Sequence, residues 1–270
     1  MNERKQSGNG KPDHLLALRG FSKSFGPVQA LSDVDFEVDG GEVVALVGDN
    51  GAGKSTLVKA IDGVQPPDSG EAYFEGEHVT IHSPAAAARL GITTVFQDLA
   101  LCDNLDVVAN LYLGQEIAGD ELRVPVRPLN ETQMEQRALE LLDELSVTTL
   151  GSVRTEVASL SGGQRQSVAI ARSLVKQPKV ILLDEPTAAL GVAQTAQVLD
   201  LVKRLRERGL GVVMISHNLE DVFKVADRIV VLRLGKREAT FQADKTTREE
   251  VVAAITGASA ELKVPKEDEE

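Results

Sequence analysis

One segment constrains the fold more than any other: an apolar run leads directly into a glycine-rich loop and then into a helical pattern. Val43–Val47 is typical of a buried strand, and Gly48–Thr56 carries the spacing Gly-x4-Gly-Lys-Ser. In this context, successive backbone N–H groups and the positive end of the helix dipole can wrap a phosphate. Lys54 can reach the β- and γ-phosphates, and the Ser55 hydroxyl can ligate Mg²⁺. The segment therefore predicts a P-loop.

Apolar runs of four or five residues recur along the chain, with helical stretches between them. These runs are Val43–Val47, Ile92–Phe96, Val180–Leu183, Val212–Ile215 and Ile229–Leu232. Runs this continuous are typical of parallel strands buried on both faces. Shorter alternating segments at Leu15–Phe25, Leu31–Val38 and Glu71–Ile81 predict a small antiparallel layer.

A helical region interrupts this pattern. Strand signals fade after Gln97, and Glu131–Leu145 places apolar residues at helical spacing. The helix after the P-loop is predicted to stop at Gly63. We therefore expect an α/β fold: a P-loop NTPase core with a mostly parallel sheet, a small antiparallel β layer and a helical subdomain inserted at about 98–176.

Composition and charge narrow the class of protein. The single cysteine, Cys102, excludes an intramolecular disulfide framework and fits a reducing compartment. A net charge of −12 argues against a sequence-independent nucleic-acid binder. No apolar run approaches the length of a membrane span, so we expect any membrane role to need a partner. We expect the domain to cover 14–258, with disordered ends at 1–13 and in the acidic tail 259–270.

Two carboxylates follow the apolar run Val180–Leu183. In open α/β sheets ligands lie at the carboxyl ends of the strands, so Asp184 and Glu185 should face the same crevice as Lys54. Asp184 can hold Mg²⁺, and Glu185 can polarise an attacking water. The alternative is a strand end that simply turns at Pro186.

A second glycine-rich segment opens a helix that we expect to reach about Lys176. Ser161 and Gln164 have the spacing of a capping box, which is the structural interpretation. Gly162 and Gly163 weaken the first helical turn by up to about 1 kcal/mol each, which capping alone does not explain. Close approach of the backbone to an anion does explain them, so this helix end is predicted to bind phosphate.

Single polar residues follow two further strands at the same edge of the sheet. Gln97 comes after Ile92–Phe96, and His217 follows soon after Val212–Ile215. Either residue alone is more often structural than catalytic. The order along the chain is more informative, because P-loop, Gln, Leu-Ser-Gly-Gly-Gln, Asp-Glu and His rarely occur together by chance.

That ordered set resembles the nucleotide-binding subunit of ATP-binding cassette (ABC) transporters over about 15–257. The resemblance implies catalytic roles for Glu185, His217, Gln97 and Lys54, and Mg²⁺ ligation by Ser55, Asp184 and Gln97. It also implies ATP binding by three parts of the chain: the P-loop, an aromatic residue under the adenine and a signature segment. The aromatic residue is Phe25, the P-loop residues are Gly48, Asn50, Gly51, Ala52, Gly53, Lys54, Ser55 and Thr56, and the signature residues are Ser161, Gly162, Gly163 and Gln164. A phenylalanine packed in the core is the alternative at Phe25.

The segment after Glu-Pro-Thr departs from the common family pattern. Most cassettes continue with Ser-Ala-Leu-Asp, whereas this chain has Ala-Ala-Leu-Gly at 188–191, so Gly191 replaces the aspartate of a contact across the dimer. Together with 105–114, this segment resembles cassettes of bacterial monosaccharide importers. Many of those carry two cassettes in one chain, and this chain has one set of motifs, so we expect two copies to act together.

The resemblance also implies partners and a location. The expected assembly is a homodimer in which the signature of one chain completes the P-loop site of the other. Separate transmembrane permease subunits would bind the dimer at the cytoplasmic face of the membrane, and a periplasmic or extracellular solute-binding protein would act indirectly. No nucleic-acid partner is expected.

Other classes of function remain as alternatives. A soluble cassette ATPase that acts on nucleic acid or ribosomes would be favoured by coiled-coil insertions, tandem cassettes or a basic arm, and none is present in the sequence. A P-loop GTPase would need a guanine-reading Asn-Lys-x-Asp, which is also absent. An exporter is commonly fused to its membrane domain, so import is favoured.

Overall fold

The computed structural model describes residues 14–119, 128–147 and 150–258. The expected disorder at 1–13 and 259–270 concerns residues outside these ranges. The strands are β1 (Leu16–Phe25), β2 (Val28–Val38), β3 (Val43–Val47), β4 (Ser69–Phe74), β5 (Glu77–Val79), β6 (Ile92–Val95), β7 (Val180–Asp184), β8 (Gly211–Ile215), β9 (Arg228–Arg233) and β10 (Lys236–Gln242). The helices are α1 (Lys54–Ile61), α2 (Pro84–Leu90), α3 (Val107–Tyr112), α4 (Glu131–Glu144), α5 (Gly162–Leu174), α6 (Val192–Glu207), α7 (Leu219–Val225) and α8 (Arg248–Thr256).

The strands form two sheets. A six-stranded sheet has the order β10-β9-β3-β8-β7-β6, and all its pairs are parallel except the edge pair of β10 with β9. A four-stranded antiparallel sheet has the order β2-β1-β4-β5. The helices α3, α4 and α5 lie between β6 and β7 in the chain. The predicted α/β class, with its parallel core, antiparallel layer and helical insertion, is confirmed.

The large sheet is buried on both faces. Ala45 and Val47 of β3 pack into one apolar cluster with residues of α5 and α6, while Val44 and Leu46 pack into another with β1, β2 and α1. Because alternate residues of a strand point to opposite faces, a strand buried on both faces has to be apolar throughout. This explains the continuous apolar runs of the sequence.

Helix α1 packs in the same cluster as the antiparallel sheet, and its buried side chains are Leu57, Val58, Ala60 and Ile61. The helix ends at Ile61 with Asp62 as its C-cap. The Asp62 N–H donates to the carbonyl oxygen of Val58 at 2.9 Å, and the Gly63 N–H donates to that of Ala60 at 3.3 Å. Gly63 follows the C-cap with φ +75°, so it is the left-handed glycine at which the helix was predicted to stop. Residues of both sheets pack with α1 in this cluster.

Several element bounds differ from those predicted. The segment Glu71–Ile81 forms the hairpin of β4 and β5, because Glu75 and Gly76 both adopt positive φ and turn the chain. Strand β10 was not predicted, since it is a largely exposed edge strand with polar residues. Within the described ranges, none of the helices has both the length and the apolar character that crossing a membrane requires.

Candidate functional site

The loop between β3 and α1 is shaped by its close neighbours. Gly48 has φ +153°, and a Cβ atom there would lie 2.2 Å from the carbonyl oxygen of Leu232. Gly53 has φ +103°, and a Cβ atom there would lie 2.7 Å from the carbonyl oxygen of Ala30. Only glycine satisfies both the backbone conformation and the space at these two positions. The two glycines of the Gly-x4-Gly spacing are therefore explained by geometry.

Lys54 folds back over this loop. Its Nζ donates to the carbonyl oxygens of Gly48 at 2.8 Å and Asp49 at 2.9 Å. Partial burial lowers the pKa of Lys54, and the negative charges of Glu185, Asp49 and Asp184 oppose that shift. The ammonium group is thus held at the loop, near the carboxylates at the carboxyl end of β7.

The amino end of α1 has no side-chain cap, because its N-cap residue is Gly53. The first N–H groups of a helix have no partner within the helix, so an uncapped end can donate them to an anion. Ser55 is exposed in the first turn. The N–H of Ala52, which was predicted to be among the phosphate donors, points to the carbonyl oxygen of Asp49 at 3.1 Å. Asn50 donates its N–H to the Asp49 carboxylate at 2.8 Å.

Asp184 is the last residue of β7, next to Ile215 of β8. Burial raises the pKa of Asp184, the neighbouring charge of Glu185 raises it further, and Lys54 and Lys59 lower it. These charge interactions place Asp184, Glu185 and Lys54 within electrostatic reach of one another. The carboxylate oxygens are suitable ligands for a hard divalent cation.

Glu185 and His217 meet across two neighbouring strand ends. The Nδ1 atom of His217 lies 2.8 Å from Oε2 of Glu185, and the His217 side chain is 73% exposed while that of Glu185 is 17% exposed. Glu185 has φ +51°, in the left-handed region, and its N–H donates to the carbonyl oxygen of Ile215 at 3.0 Å. The sequence placed both residues at one edge of the sheet, and the structure brings them into contact.

A buried carboxylate behind this pair was not predicted from the sequence. Asp221 in α7 is 3% exposed, and its Oδ2 accepts hydrogen bonds from Thr187 Oγ1 at 2.8 Å and from Asn218 Nδ2 at 3.1 Å. Thr187 follows Glu185 by two residues, and Asn218 follows His217. The only sequence signal was the position of Asp221 in the first turn of a short amphipathic helix.

The segment 161–164 lies against α6. Ser161 caps α5 by accepting from the N–H of Gln164 at 3.3 Å, and its own N–H donates to Gln164 Oε1 at 2.8 Å. A Cβ atom on Gly163 would lie 2.9 Å from Cβ of Gln194, and one on Gly162 would lie 3.0 Å from Cδ2 of Leu190. Close packing inside the chain thus favours glycine at 163, whereas at 162 the end of the flexible Leu190 side chain could move aside. Packing inside the chain is therefore a second explanation for glycine here, and phosphate binding by this helix end stays a prediction.

The remaining predicted residues lie on turns. Gln97 is exposed in the turn after β6, the edge strand next to β7. Phe25 ends β1 and is 44% exposed, with Lys23 Nζ 5.8 Å from the centre of its ring. This exposure excludes the alternative of a fully buried core phenylalanine. The hairpin that carries Phe25 also brings Ala30 against Gly53.

The structure therefore assembles part of the predicted site within one chain. Lys54, Asp184, Glu185 and His217 gather at the carboxyl ends of β3, β7 and β8. Ser161–Gln164 contacts the 190–194 segment instead. A protein-family model described as ABC transporter matches residues 31–188. The chain belongs to the ABC transporter family. The resemblance drawn from the sequence is thus confirmed.

Relatives in the ABC transporter family include proteins named for sugar import. The chain is 44% identical to the fructose import ATP-binding protein of Rhizobium meliloti, over 90% of this chain and 94% of that protein. It is 45% identical to the xylose/arabinose import ATP-binding protein of Sulfolobus acidocaldarius, with the same shares covered. It is 42% identical to a ribose import ATP-binding protein of Rubrobacter xylanophilus, but the match spans 49% of that longer protein.

Solved ABC cassettes have the same fold. An ATP-binding cassette of an ABC transporter in its ADP conformation has a TM-score of 0.75 and 28% identity, covering 93% of this chain and 99% of that one. A dimeric cassette in a post-hydrolysis state with ADP and phosphate has a TM-score of 0.69 and 28% identity, covering 84% of this chain and 98% of that one. Together with the family match, these cassettes identify this chain as an ATPase.

Proposed function

We propose that this chain is the ATP-hydrolysing subunit of an ABC importer that takes up a sugar. The proposal is supported by relatives at 42–45% identity that are named for fructose, xylose/arabinose and ribose import. The single structural observation that carries the catalytic part is the 2.8 Å contact of Glu185 with His217, in electrostatic reach of Lys54.

The P-loop binds the phosphates of ATP in this proposal. The uncapped amino end of α1 supplies backbone donors, and the Lys54 ammonium group can move from two loop carbonyl groups to phosphate oxygens. Phe25 stacks against the adenine, which is supported by its exposure at the hairpin next to the P-loop.

A magnesium ion fits the donors of the site. Ser55 offers a hydroxyl, Asp184 a carboxylate and Gln97 an amide oxygen, and all three are hard oxygen ligands. In the described part of the chain, no cluster of three or more His, Cys, Asp or Glu residues could hold a metal by itself. Such a sparse set suits Mg²⁺, which usually keeps several waters and binds substrate phosphates. When bound, Mg²⁺ neutralises charge on the β- and γ-phosphates.

Hydrolysis consists mainly of positioning and charge stabilisation. Glu185 accepts a proton from the attacking water. His217 holds the Glu185 carboxylate in place, and the His217 ring faces the transferred phosphoryl group. Lys54 stabilises negative charge that develops on the phosphate oxygens. Gln97 orients the same water from the turn after β6. Little covalent chemistry is left to the protein.

Two chains form the complete catalytic unit in this proposal. Ser161–Gln164 of one chain binds the γ-phosphate held by the P-loop of the other, so the homodimer has two equal sites. The solved cassette relative described as dimeric supports this assembly. Gly191 lacks the side chain that most cassettes use in a contact across the dimer, so that contact is absent from the proposed assembly.

The dimer works with membrane partners. We place it at the cytoplasmic face of the membrane, bound to separate permease subunits that in turn receive sugar from a periplasmic or extracellular binding protein. The domain extends over 14–258, and its helical subdomain at about 98–176 transmits the dimer motion to the permease. No nucleic-acid partner is required.

Sugar uptake tests this function directly. The gene for this chain is deleted in its host, and entry of labelled fructose, xylose, arabinose and ribose is measured with and without a wild-type copy. We expect uptake of at least one sugar to fall and to return with the wild-type copy but not with Glu185→Gln. Unchanged uptake of all four sugars would contradict sugar import for this set, while the ATPase assay of the purified chain tests the chemistry separately.

A further inference from the structure

Asp221 is an acidic residue that the proposed chemistry does not use, although its side chain is almost completely buried. It is 3% exposed, and its Oδ2 accepts one hydrogen bond from Thr187 Oγ1 at 2.8 Å and one from Asn218 Nδ2 at 3.1 Å. Its Oδ1 lies 3.9 Å from Nζ of Lys224. Aspartate is rarely buried unless it is paired, so these contacts offset the free-energy cost of burying the Asp221 side chain.

The two donors lie on the loops that carry the catalytic pair. Thr187 is two residues after Glu185 in the loop that follows β7, and Asn218 is the residue after His217 in the loop that follows β8. A single carboxylate oxygen therefore joins the two loops behind the point where Glu185 and His217 meet at 2.8 Å.

Neither member of the catalytic pair is fixed by packing alone. Glu185 has φ +51°, a conformation that residues other than glycine rarely adopt. Its loop is closed by the N–H of Ala188, which donates to the Glu185 carbonyl oxygen at 3.1 Å. The ring of His217 is 73% exposed, so few neighbours restrain it. The relative position of the two side chains thus depends on how the two loops are tied together.

We propose that Thr187 and Asp221 are positioning residues that set the Glu185–His217 contact for hydrolysis. The inference rests on the proposed function, since it assumes that Glu185 activates water. Thr187 and Asp221 act through the two loops and need no contact with ATP. Loss of the hydrogen bonds to Asp221 lets the Glu185 carboxylate move away from the attacking water. Displacements of about 1 Å in such geometry can lower a rate by about 100-fold.

The chain contains a matched pair elsewhere that separates this role from simple stabilisation. Thr94 Oγ1 on β6 donates to Oδ1 of Asp62 at 2.9 Å, and Asp62 is 8% exposed at the end of α1. The chemistry is the same: a threonine hydroxyl bound to a buried aspartate on another element. Asp62 lies at the end of α1 opposite the P-loop, so Thr94→Val serves as the control for Thr187→Val.

The test compares kcat, nucleotide affinity and unfolding temperature in the full chain. We expect Thr187→Val to lower kcat by about 10- to 100-fold while the Kd of a non-hydrolysable ATP analogue changes by less than about twofold. Thr187→Ser restores the hydroxyl and should recover most of the rate. Thr94→Val should lower the unfolding temperature and leave kcat unchanged. A wild-type kcat in Thr187→Val, or equal losses of kcat in both valine variants, would overturn the proposal.

A double-mutant cycle with Glu185→Gln tests whether the Thr187–Asp221 hydrogen bond affects the rate through the Glu185 carboxylate. Once Glu185 is replaced, Thr187→Val should cause no further loss of the residual rate, whereas a full additional loss would contradict the inference.

Asp221→Asn keeps an acceptor oxygen for both donors and should retain a kcat close to wild type. A wild-type chain without ATPase activity would overturn the proposed function as well, but an active wild type with an unaffected Thr187→Val would overturn this inference alone.

Discussion

The Nδ1 atom of His217 lies 2.8 Å from Oε2 of Glu185, although the two residues follow different strands. The contact exists because β7 and β8 are neighbours in register, with Asp184 paired to Ile215. The carboxylate is therefore positioned by two loops rather than by one. Substitutions on either loop should affect hydrolysis more than nucleotide binding.

Glu185→Gln should keep ATP binding and lose hydrolysis. Removal of a general base lowers the rate by about 10²–10⁴-fold, while the phosphate-binding loop is unchanged. The ATP-bound dimer should then accumulate, as measured by light scattering. Glu220→Gln is the matched control, because Glu220 is an exposed carboxylate paired with Lys224 at 2.7 Å. Near-normal turnover in Glu185→Gln would contradict its role as the base.

Lys54→Ala should weaken nucleotide binding itself. The variant loses the charge that faces the phosphates and the two hydrogen bonds that hold the loop. A hydrogen bond to a charged group contributes about 1.5–3 kcal/mol, so the Kd for ATP should rise by about 10- to 100-fold. Equilibrium dialysis measures the Kd, with the partly exposed Lys203→Ala on α6 as the control. An unchanged Kd would exclude the P-loop assignment.

Mixed dimers should recover activity from two inactive chains. Ser161→Arg blocks the signature and Lys54→Ala disables the P-loop, so each homodimer is inactive. In the mixed dimer both lesions fall on one composite site, and the other site is intact. The ATPase rate is measured against mixing ratio, with heterodimer formation checked independently. No recovery in proven heterodimers would show that each site is built within one chain.

Gly163→Ala should destabilise the fold. A Cβ atom there would lie 2.9 Å from Cβ of Gln194, and overpacking of this kind costs about 1–3 kcal/mol, more than the roughly 1 kcal/mol that alanine adds to helix stability. Thermal unfolding checks the change. Gly151→Ala is the control, since a Cβ atom at that position would meet no atom of a non-adjacent residue within 4 Å, and its stability should change by about 0.5 kcal/mol or less. Equal unfolding temperatures for both variants would contradict the packing argument.

Asp62→Asn should stabilise the chain at neutral pH. Burial raises the pKa of Asp62 despite its hydrogen bond from Thr94, so the ionised carboxylate is tolerated less well in the folded chain than in the unfolded one. Stability therefore falls as pH rises above the usual aspartate range near about 4, and asparagine escapes this loss. Urea unfolding measures the free energy of unfolding at pH 7 and at pH 4. Asp62→Asn should exceed wild type at pH 7, and the difference should shrink at pH 4. A difference that is the same at both pH values would contradict this explanation.

The sequence predicted what depends on neighbours along the chain. The bounds of β3 matched those predicted, and Asp184 and Glu185 were placed at the correct strand end, because apolar continuity and motif spacing are local signals. The contact of Thr187 with Asp221 joins residues 34 positions apart, and no periodicity reports it. The packing of Gly163 against Gln194 was missed for the same reason, since Gln194 is on another helix. The nucleotide-binding and catalytic roles of these residues stay predictions.

The left-handed backbone at Glu185 has an evolutionary consequence. Such a conformation costs roughly 1–2 kcal/mol in any residue with a Cβ atom, and glycine would relieve it. Glycine would also remove the carboxylate. Selection for a more stable fold and selection for faster ATP hydrolysis therefore favour different residues at position 185. Random screens for heat tolerance should recover Glu185→Gly among variants that have lost turnover.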